Sequence, residues 1–369
     1  MAKLRLKSSS PDYLFLAVVF ILTVFGLAML ASASSNLGKT QFNDSYYYLK
    51  HQIEFGLSLG ILGFVVGYFV PFSFWKKVAF PMLLVSIATL ALVFTRFGAE
   101  INSTDRWLRL GPLSFQPAEL VKLVYIIYLA AWLSNTKLKR DQDLQGGLLP
   151  FALVSGIIGL LLVLQPATST VAILLGSGLV VYFVSGAPFK YIIGMMGIGL
   201  VAVALLIFIT PYRMARITGF LHQSANQQGQ NYQVNQAQIA IGSGGLLGVG
   251  YGQSATKTGY LPAVIDDSIF AIVGEELGFV GTCALIALFC MFTFRLFWIA
   301  KQTGDRFGKL LLIGFGTVIA FQAFVNMASI SGIIPLTGVP LPFVSYGGTA
   351  LAVFLTMSGI AANVSKYRT

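Results

Sequence analysis

YLFLAVVFILTVFGLAMLASA, residues 13–33, carries no charged side chain. An α-helix rises about 1.5 Å per residue, so about 20 apolar residues cross the hydrocarbon core of a bilayer. The stretch is long enough to span. It is also longer than the apolar core of a secretory leader and lacks a small-residue processing site, so it reads as a retained span. Similar runs follow near 52–72, 75–95, 118–134, 147–165, 169–185, 189–210, 268–299, 310–330 and 346–364. The run at 268–299 is long enough to tilt or to project beyond the bilayer.

Composition agrees with this reading. Of 369 residues, 56% are hydrophobic and only 10% charged, and the mean hydropathy is +0.80. Soluble domains carry about 25% charged residues, so a water-facing globule is excluded. In lipid every backbone polar group must be satisfied internally, which leaves helices or closed barrels. Long unbroken apolar runs select helices. The expected fold is an all-α polytopic membrane protein of about ten transmembrane helices, a single domain over 1–369.

The basic residues give the orientation. Lys3, Arg5 and Lys7 precede the first run, Lys76 and Lys77 follow the second, and Lys137, Lys139 and Arg140 follow the fourth. Lys190, then Arg295, Lys301, Arg306 and Lys309, then Lys366 and Arg368 continue the alternation. The positive-inside rule therefore places both termini in the cytoplasm. The net charge of +11 reports topology and contact with anionic headgroups, and no basic stripe with interleaved aromatics points to nucleic acid.

Cys283 and Cys290 lie seven apart in one apolar run and read as packing residues on one helix face. Neither they nor His51 and His222 have metal-ligand spacing.

Two segments fall on the opposite, extracellular side: Gly98 to Pro117, and the long loop 211–267 between spans 7 and 8. Loops of that length in a compact domain are functional or disordered, and the tyrosines among the glycines of the second argue for partial order. No pair of matching broken helices recurs in the two halves, as it does in many carriers.

Charge on this side is sparse and costly. Asp105, Arg106 and Arg109 precede the fourth span, which opens with Glu119 and Lys122, three apart on one helix face. Such residues cannot face lipid cheaply. They are either a helix-start Glu with a neighbouring Lys, or a site where Lys122 and the arginines hold a diphosphate. Arg213 and Arg216 repeat the three-residue spacing and suit an anionic partner, or a plain anchor at the membrane edge. GYLPAVIDDSIFAIVGEELG, 259–278, sets Asp266 beside Asp267 at the start of the eighth span and Glu275 beside Glu276 within it. Asp267 could cap the helix, but capping needs no second Asp. Two close carboxylates repel, and one can acquire the raised pKa of a proton acceptor working near neutrality. Glu275 and Glu276 are expected in hydrogen bonds or ion pairs inside the bundle.

Several motifs in order resemble the FtsW/RodA (SEDS) family of peptidoglycan glycosyltransferases, from the first span to the last. RWLRLGPLSFQPAELVKL at 106–123 resembles the family's Arg-Trp…Phe-Gln-Pro-Ser-Glu-x-x-Lys element, and YRMARI at 212–217 its Arg-x-x-Arg. NYQVNQAQIAIGSGGLLGVGYGQS at 231–254 resembles its Gln- and Gly-rich loop. The stretch 261–278 resembles the block ending Glu-Glu-Leu-Gly, and GIIPLTGVPLPFVSYGGT at 332–349 its Pro-Leu-Pro-Phe-x-Ser-Tyr-Gly-Gly signature.

The resemblance implies polymerisation of lipid II, with Asp267 as the catalytic base for the acceptor's 4-hydroxyl and direct displacement with inversion. It places Arg106, Glu119, Lys122, Arg213, Arg216, Gln233, Lys257 and Ser345 at the substrate, with Asp266, Glu275 and Glu276 in support. A divalent cation (Mg or Mn) could join the basic residues at the departing diphosphate; no cofactor is fixed. Implied partners are a class B penicillin-binding protein, other divisome proteins and membrane lipids, in a bacterial cytoplasmic membrane at the division septum. Three positions depart from the family pattern: Ala167 for an Asp, Ala263 for a Glu, and Ser268 for a Phe. GVGYGQSATKTGYLP at 248–262 resembles the division-type branch more than the elongation-type RodA branch. The rival from another class is a lipid II flippase, which would need its polar groups near the bilayer centre and open to both sides in turn. A structural scaffold for division proteins would leave the costly charges unexplained.

Overall fold

The computed structural model describes residues 10–101, 104–110, 113–135, 143–221 and 231–368. Every apolar run forms a helix. In chain order these are α1 (Tyr13–Phe42), α2 (Tyr47–Phe69), α3 (Phe72–Leu92), α4 (Pro117–Leu133), α5 (Leu144–Leu164), α6 (Thr168–Val184) and α7 (Phe189–Ile209). Then come α8 (Pro211–Leu221), α9 (Tyr232–Ser243), α10 (Ile269–Gln302), α11 (Arg306–Ile330) and α12 (Gly348–Ser365). Among the described residues, eight helices are long and apolar enough to cross a membrane, and the protein is a polytopic membrane protein. Local chemistry sets several helix starts. Asp12 accepts from the Phe15 amide at 2.9 Å and Asp305 from the Gly308 amide at 2.8 Å, while Pro117 takes the first turn of α4, where a missing N–H costs nothing.

One segment is not helical. β1 (Gly98–Ile101), β2 (Thr104–Leu110) and β3 (Leu113–Phe115) form an antiparallel meander, with Leu108 opposite Phe115. No strand was expected in this loop, because three short strands outside the bundle leave no apolar run to read. The meander delivers Arg106 to the end of the bundle and feeds directly into α4.

The bundle closes α2 on α12. Their backbones approach so nearly that a Cβ at Gly67 would stand 2.7 Å from the Ile360 nitrogen, the close packing that small residues permit between helices in lipid. α7 behaves differently. Only Ile192 among its residues is buried, and it presents Phe189, Ile198, Leu200 and Phe208 outward, an apolar surface that acyl chains would solvate.

The long run at 268–299 is broken. Gly278 adopts φ 65° and ψ −162° inside α10. The loop after α9 fills the break: the Val249 and Gly250 amides donate to the carbonyls of Glu275 and Glu276 at 2.9 and 3.1 Å, and the Phe279 and Val280 amides donate to Gly245 and Leu246 at 2.9 and 3.1 Å. A Cβ on Gly278 would lie 2.3 Å from the Gly248 nitrogen, so both chains need glycine here. The loop thereby supplies the partners that a helix break in lipid requires. Cys283 and Cys290 do share a face of α10 but are exposed; they pack against nothing in the core, which corrects their reading as packing residues.

At the opposite end of the bundle, Asp12 binds Arg295 (2.7 Å) and Arg368 (2.5 Å), tying the start of α1 to α10 and to the chain after α12. Both guanidiniums hold the Asp12 carboxyl below its usual range against the opposing effect of burial. Lys3, Arg5, Lys7, Lys137, Lys139, Arg140 and His222 lie outside the described residues.

Candidate active site

The two aspartates close a tight turn that leads into α10. Asp266 and Ser268 donate their amides to the Ala263 carbonyl at 3.0 and 3.2 Å, with Ala263 itself at φ 49°. Asp267 is buried and does not cap the helix; the N-cap residue is Ser268, whose hydroxyl makes no capping bond. The strap joining α11 to α12, residues 331–347, then fixes the turn from one side. Asn326 of α11 donates to the carbonyls of Asp267 (2.8 Å) and Val339 (2.7 Å). The Ser345 hydroxyl donates to the Asp266 carbonyl and accepts from the Leu341 amide at 2.8 Å, and the Tyr346 amide donates to Ile265 at 2.8 Å. Ser345 is thus spent on the backbone of the pair.

From the other side comes α9. Gln233 donates to Asp267 Oδ1 and to the Ser268 hydroxyl, each at 2.9 Å. Asp267 Oδ2 faces Gly338 of the strap, where a Cβ would lie 3.8 Å away. Burial pushes the Asp266 carboxyl up to about 7, and the neighbouring Asp267 charge adds to the rise. Burial also lifts Asp267 to about 6, against the pull of the Gln233 amide, its own backbone, the Arg216 charge and the Ser268 backbone. A pair with these values holds a proton acceptor near neutrality. The Asp266 charge also acts on Tyr346 of the strap, whose hydroxyl is pushed up first by burial. The Tyr346 hydroxyl in turn pairs with His51 Nδ1 at 2.9 Å.

Of the three arginines, Arg216 acts on Asp267 through its charge. Arg216 of α8 lies 4.6 Å over the Tyr212 ring and donates to the Leu336 carbonyl at 3.0 Å. Arg106 of β2 donates to the carbonyls of Gln165 (2.9 Å) and Pro166 (2.6 Å). Arg213 reaches the Thr210 hydroxyl (3.2 Å) and the Val163 carbonyl (3.3 Å). Burial holds Arg106 below its usual value, and the Arg216 charge works in the same direction, which places the two cations close together. Among the described residues none of the three is bonded to a carboxylate; their partners are carbonyls and hydroxyls. A cavity of about 230 Å³ opens between α8, α9 and the strap, lined by Tyr212, Arg216, Asn231, Gln233, Val234 and Leu336. Asn231 holds α8 to α9 through the Gly219 carbonyl at 2.8 Å.

Two lysines read as substrate ligands are elsewhere. Lys122 is 1% exposed; its ammonium donates to Glu119 at 2.7 Å and to Gln322 Oε1 at 2.6 Å and lies over Phe354. Because Lys122 occupies the oxygen of Gln322, the amide nitrogen must point the other way, where it donates to the Pro340 carbonyl of the strap at 2.9 Å. Glu119 and Lys122 therefore brace the site from inside and do not line it. Lys257 is buried too, donating to Glu276 (2.9 Å), Ser32 (3.0 Å) and the Gly252 carbonyl (2.8 Å). Glu275 takes the Ser254 hydroxyl (2.5 Å), the Thr256 hydroxyl and the Ala255 amide (2.9 Å). Both glutamates hold the loop that enters the α10 break. Sequence reasoning missed Gln322 and Asn326. Their signal was available: two amides four apart on one face of an otherwise apolar run. No group of three or more His, Cys, Asp or Glu among the described residues could hold a metal ion, so the carboxylate pair alone does not make a protein-built cation site.

The sequence model of the FtsW/RodA/SpoVE family, described as cell cycle proteins, matches residues 12–369. The chain belongs to this family. It is 35% identical over 355 residues to a probable peptidoglycan glycosyltransferase FtsW of Geobacter sp. (strain M18), covering 96% of each. It is 34% identical over 362 residues to the stage V sporulation protein E of Bacillus subtilis (strain 168), covering 98% of each. Among solved structures it is similar to a chain of a peptidoglycan synthase complex that coordinates polymerization and crosslinking, with TM-score 0.78 and 29% identity over 96% of this chain and 97% of that one. The rod shape determining protein RodA of Thermus thermophilus is similar as well, with TM-score 0.71 and 29% identity over 97% of each chain.

Within this FtsW/RodA member the three departures have distinct settings. Ser268 is fully buried and shares the Gln233 amide with Asp267. Ala263 is exposed in the left-handed region. Ala167 stands at the N-cap of α6, with no side chain to cap it.

Proposed function

We propose that this FtsW/RodA member polymerises lipid II into glycan strands during septal cell-wall synthesis, with Asp267 as general base. The observation that carries the reading is a buried carboxylate, raised to about 6, that accepts from Gln233 on the wall of the cavity that also holds Arg216. In the reaction Asp267 takes the proton from the 4-hydroxyl of the acceptor sugar. The freed oxygen pair bonds to the anomeric carbon of the donor as the bond to undecaprenyl diphosphate breaks, and the leaving group departs with that electron pair. Arg216, Arg106 and Arg213 face the charge that develops there, the kind of preorganised electrostatics that often dominates catalysis. Direct displacement inverts the anomeric centre. On this reading ten helices span the membrane, both termini are cytoplasmic, and the Asp267 end of the bundle is extracellular.

The likeness to a complex that couples polymerization to crosslinking supports a class B penicillin-binding protein as partner, and the FtsW relatives favour a division role over elongation. A flippase is disfavoured because the charges deep in the bundle, Glu119 with Lys122 and Glu276 with Lys257, are sealed against each other. The deciding experiment gives purified lipid II in detergent to the protein with its cognate penicillin-binding partner, comparing wild type with Asp267→Ala and Asp266→Ala. Glycan chains lost in Asp267→Ala with lipid II binding kept support the base. No polymer from wild type, together with movement of lipid II across vesicles, would replace the enzyme by a carrier.

A further inference from the structure

Gln233 was expected to touch substrate, yet both of its amide hydrogens are already engaged. One amide nitrogen supplies two donors, and here they go to Asp267 Oδ1 and to the Ser268 hydroxyl, both at 2.9 Å. The orientation is dictated by chemistry, since an ionised carboxylate only accepts. Ser268 is buried and anchors the amide, so the glutamine cannot rotate away from Asp267 without losing both bonds. Gln233 also lines the cavity with Arg216, and α9 carries no Asp, Glu, Lys, Arg or His.

Resting on the reading of Asp267 as base, we propose that Gln233 is its positioning residue: the amide fixes the carboxylate through Oδ1, leaves Oδ2 turned to Gly338, and couples the base to the α9 wall of the cavity. The other groups around Asp267 are accounted for. The Arg216 charge acts on it from α8, Asp266 adjoins it in the chain with Tyr48 of α2 and Tyr346 of the strap within range of the Asp266 charge, and Asn326 of α11 binds only main-chain carbonyls on this side. Gln233 is thus the neutral side chain that donates directly to the carboxylate. A donor to the charged form favours ionisation, so Gln233 keeps the base deprotonated at lower pH than burial alone would allow.

The test is an infrared titration of the carboxyl stretch in the full chain, in lipid nanodiscs, with Asp266→Asn as background and Asp266→Asn/Asp267→Asn subtracted. Gln233→Met keeps the length and apolar volume while removing the donors. The Asp267 midpoint should rise by about one unit, the size of a lost hydrogen bond to a charged group. Ser268→Ala, which frees the amide from its anchor, should move it less in the same direction. With lipid II and the partner present, Gln233→Met should lose about fivefold in kcat at pH 6 and little at pH 8, as a midpoint raised by about one unit from about 6 dictates. An unmoved midpoint overturns the proposal, as does a loss that is uniform across pH and confined to KM, which would make Gln233 a substrate ligand. A midpoint that moves in Gln233→Met while the wild-type protein makes no polymer leaves the coupling standing and removes the base reading instead.

Discussion

Replacing Lys122 by methionine separates a bracing role from a ligand role. The ammonium is 1% exposed and its partner Glu119 3%, so neither charge is screened by solvent. Lys122→Met leaves the Glu119 carboxylate buried with both oxygens unpaired, since Oε2 already has no partner among the described residues. Breaking one side of such a pair costs about 3–5 kcal/mol. A further loss follows at the strap: once Lys122 no longer holds Gln322 Oε1, the Gln322 amide can flip, and a buried Pro340 carbonyl left unpaired costs about 1–3 kcal/mol. Both groups share one network, so the two losses will not simply add. The neutral double variant Glu119→Gln/Lys122→Met should recover most of the first term, because removing both charges of a buried pair is close to neutral. Reversible unfolding of the purified protein in mixed detergent micelles measures all three species. The reasoning fails if the double variant is as unstable as Lys122→Met. It also fails if Lys122→Met folds with wild-type stability and instead binds lipid II weakly, for then the ammonium reaches substrate after all.

The carboxylate pair makes stability depend on pH. Asp266 titrates at about 7 in the folded chain against an ordinary value of 3.8, so the native state binds more protons than the unfolded one between these values, and stability should fall as pH rises from about 4 to about 7. Asp266→Asn should flatten that slope in thermal melts; an unchanged slope would place the titrating group elsewhere. At the start of α6, Ala167→Asp restores a capping side chain and should stabilise the helix by about 0.5–2 kcal/mol, read as a raised Tm. An unmoved Tm would mean that the backbone at Ala167, with φ −96° and ψ 46°, does not present a carboxylate to the first amides.

What the sequence reveals follows from the physics of its solvent. Lipid forces backbone satisfaction within each span, so helix positions are legible from apolar length alone, and the ten runs coincide with ten helices to within a few residues except at α1, which continues to Phe42. The Gly278 break was not legible, because a glycine in an apolar run gives no sign of whether another chain will arrive to pair with the opened turn. The partner sits about thirty residues earlier, in a glycine-rich loop whose purpose appears only when Val249 and Gly250 meet Glu275 and Glu276. A similar limit governs the site. Charge in a membrane protein announces that a residue has a partner, but sequence does not say whether that partner is substrate or protein. Arg106, Arg213 and Arg216 meet carbonyls, with no carboxylate partner among the described residues, whereas Lys122 and Lys257 meet carboxylates and are neutralised inside the bundle. The difference lies in reach. Each lysine finds a glutamate within its own bundle, Lys122 three residues from Glu119 on one helix and Lys257 nineteen residues before Glu276 across the returning loop, while the arginines emerge where the surrounding backbone offers only oxygen dipoles. A cation paired with no carboxylate among the described residues, near a protonatable carboxylate, suits a reaction expelling a diphosphate, and the fold links the two through Gln233 by bringing α8, α9 and the strap together over the start of α10.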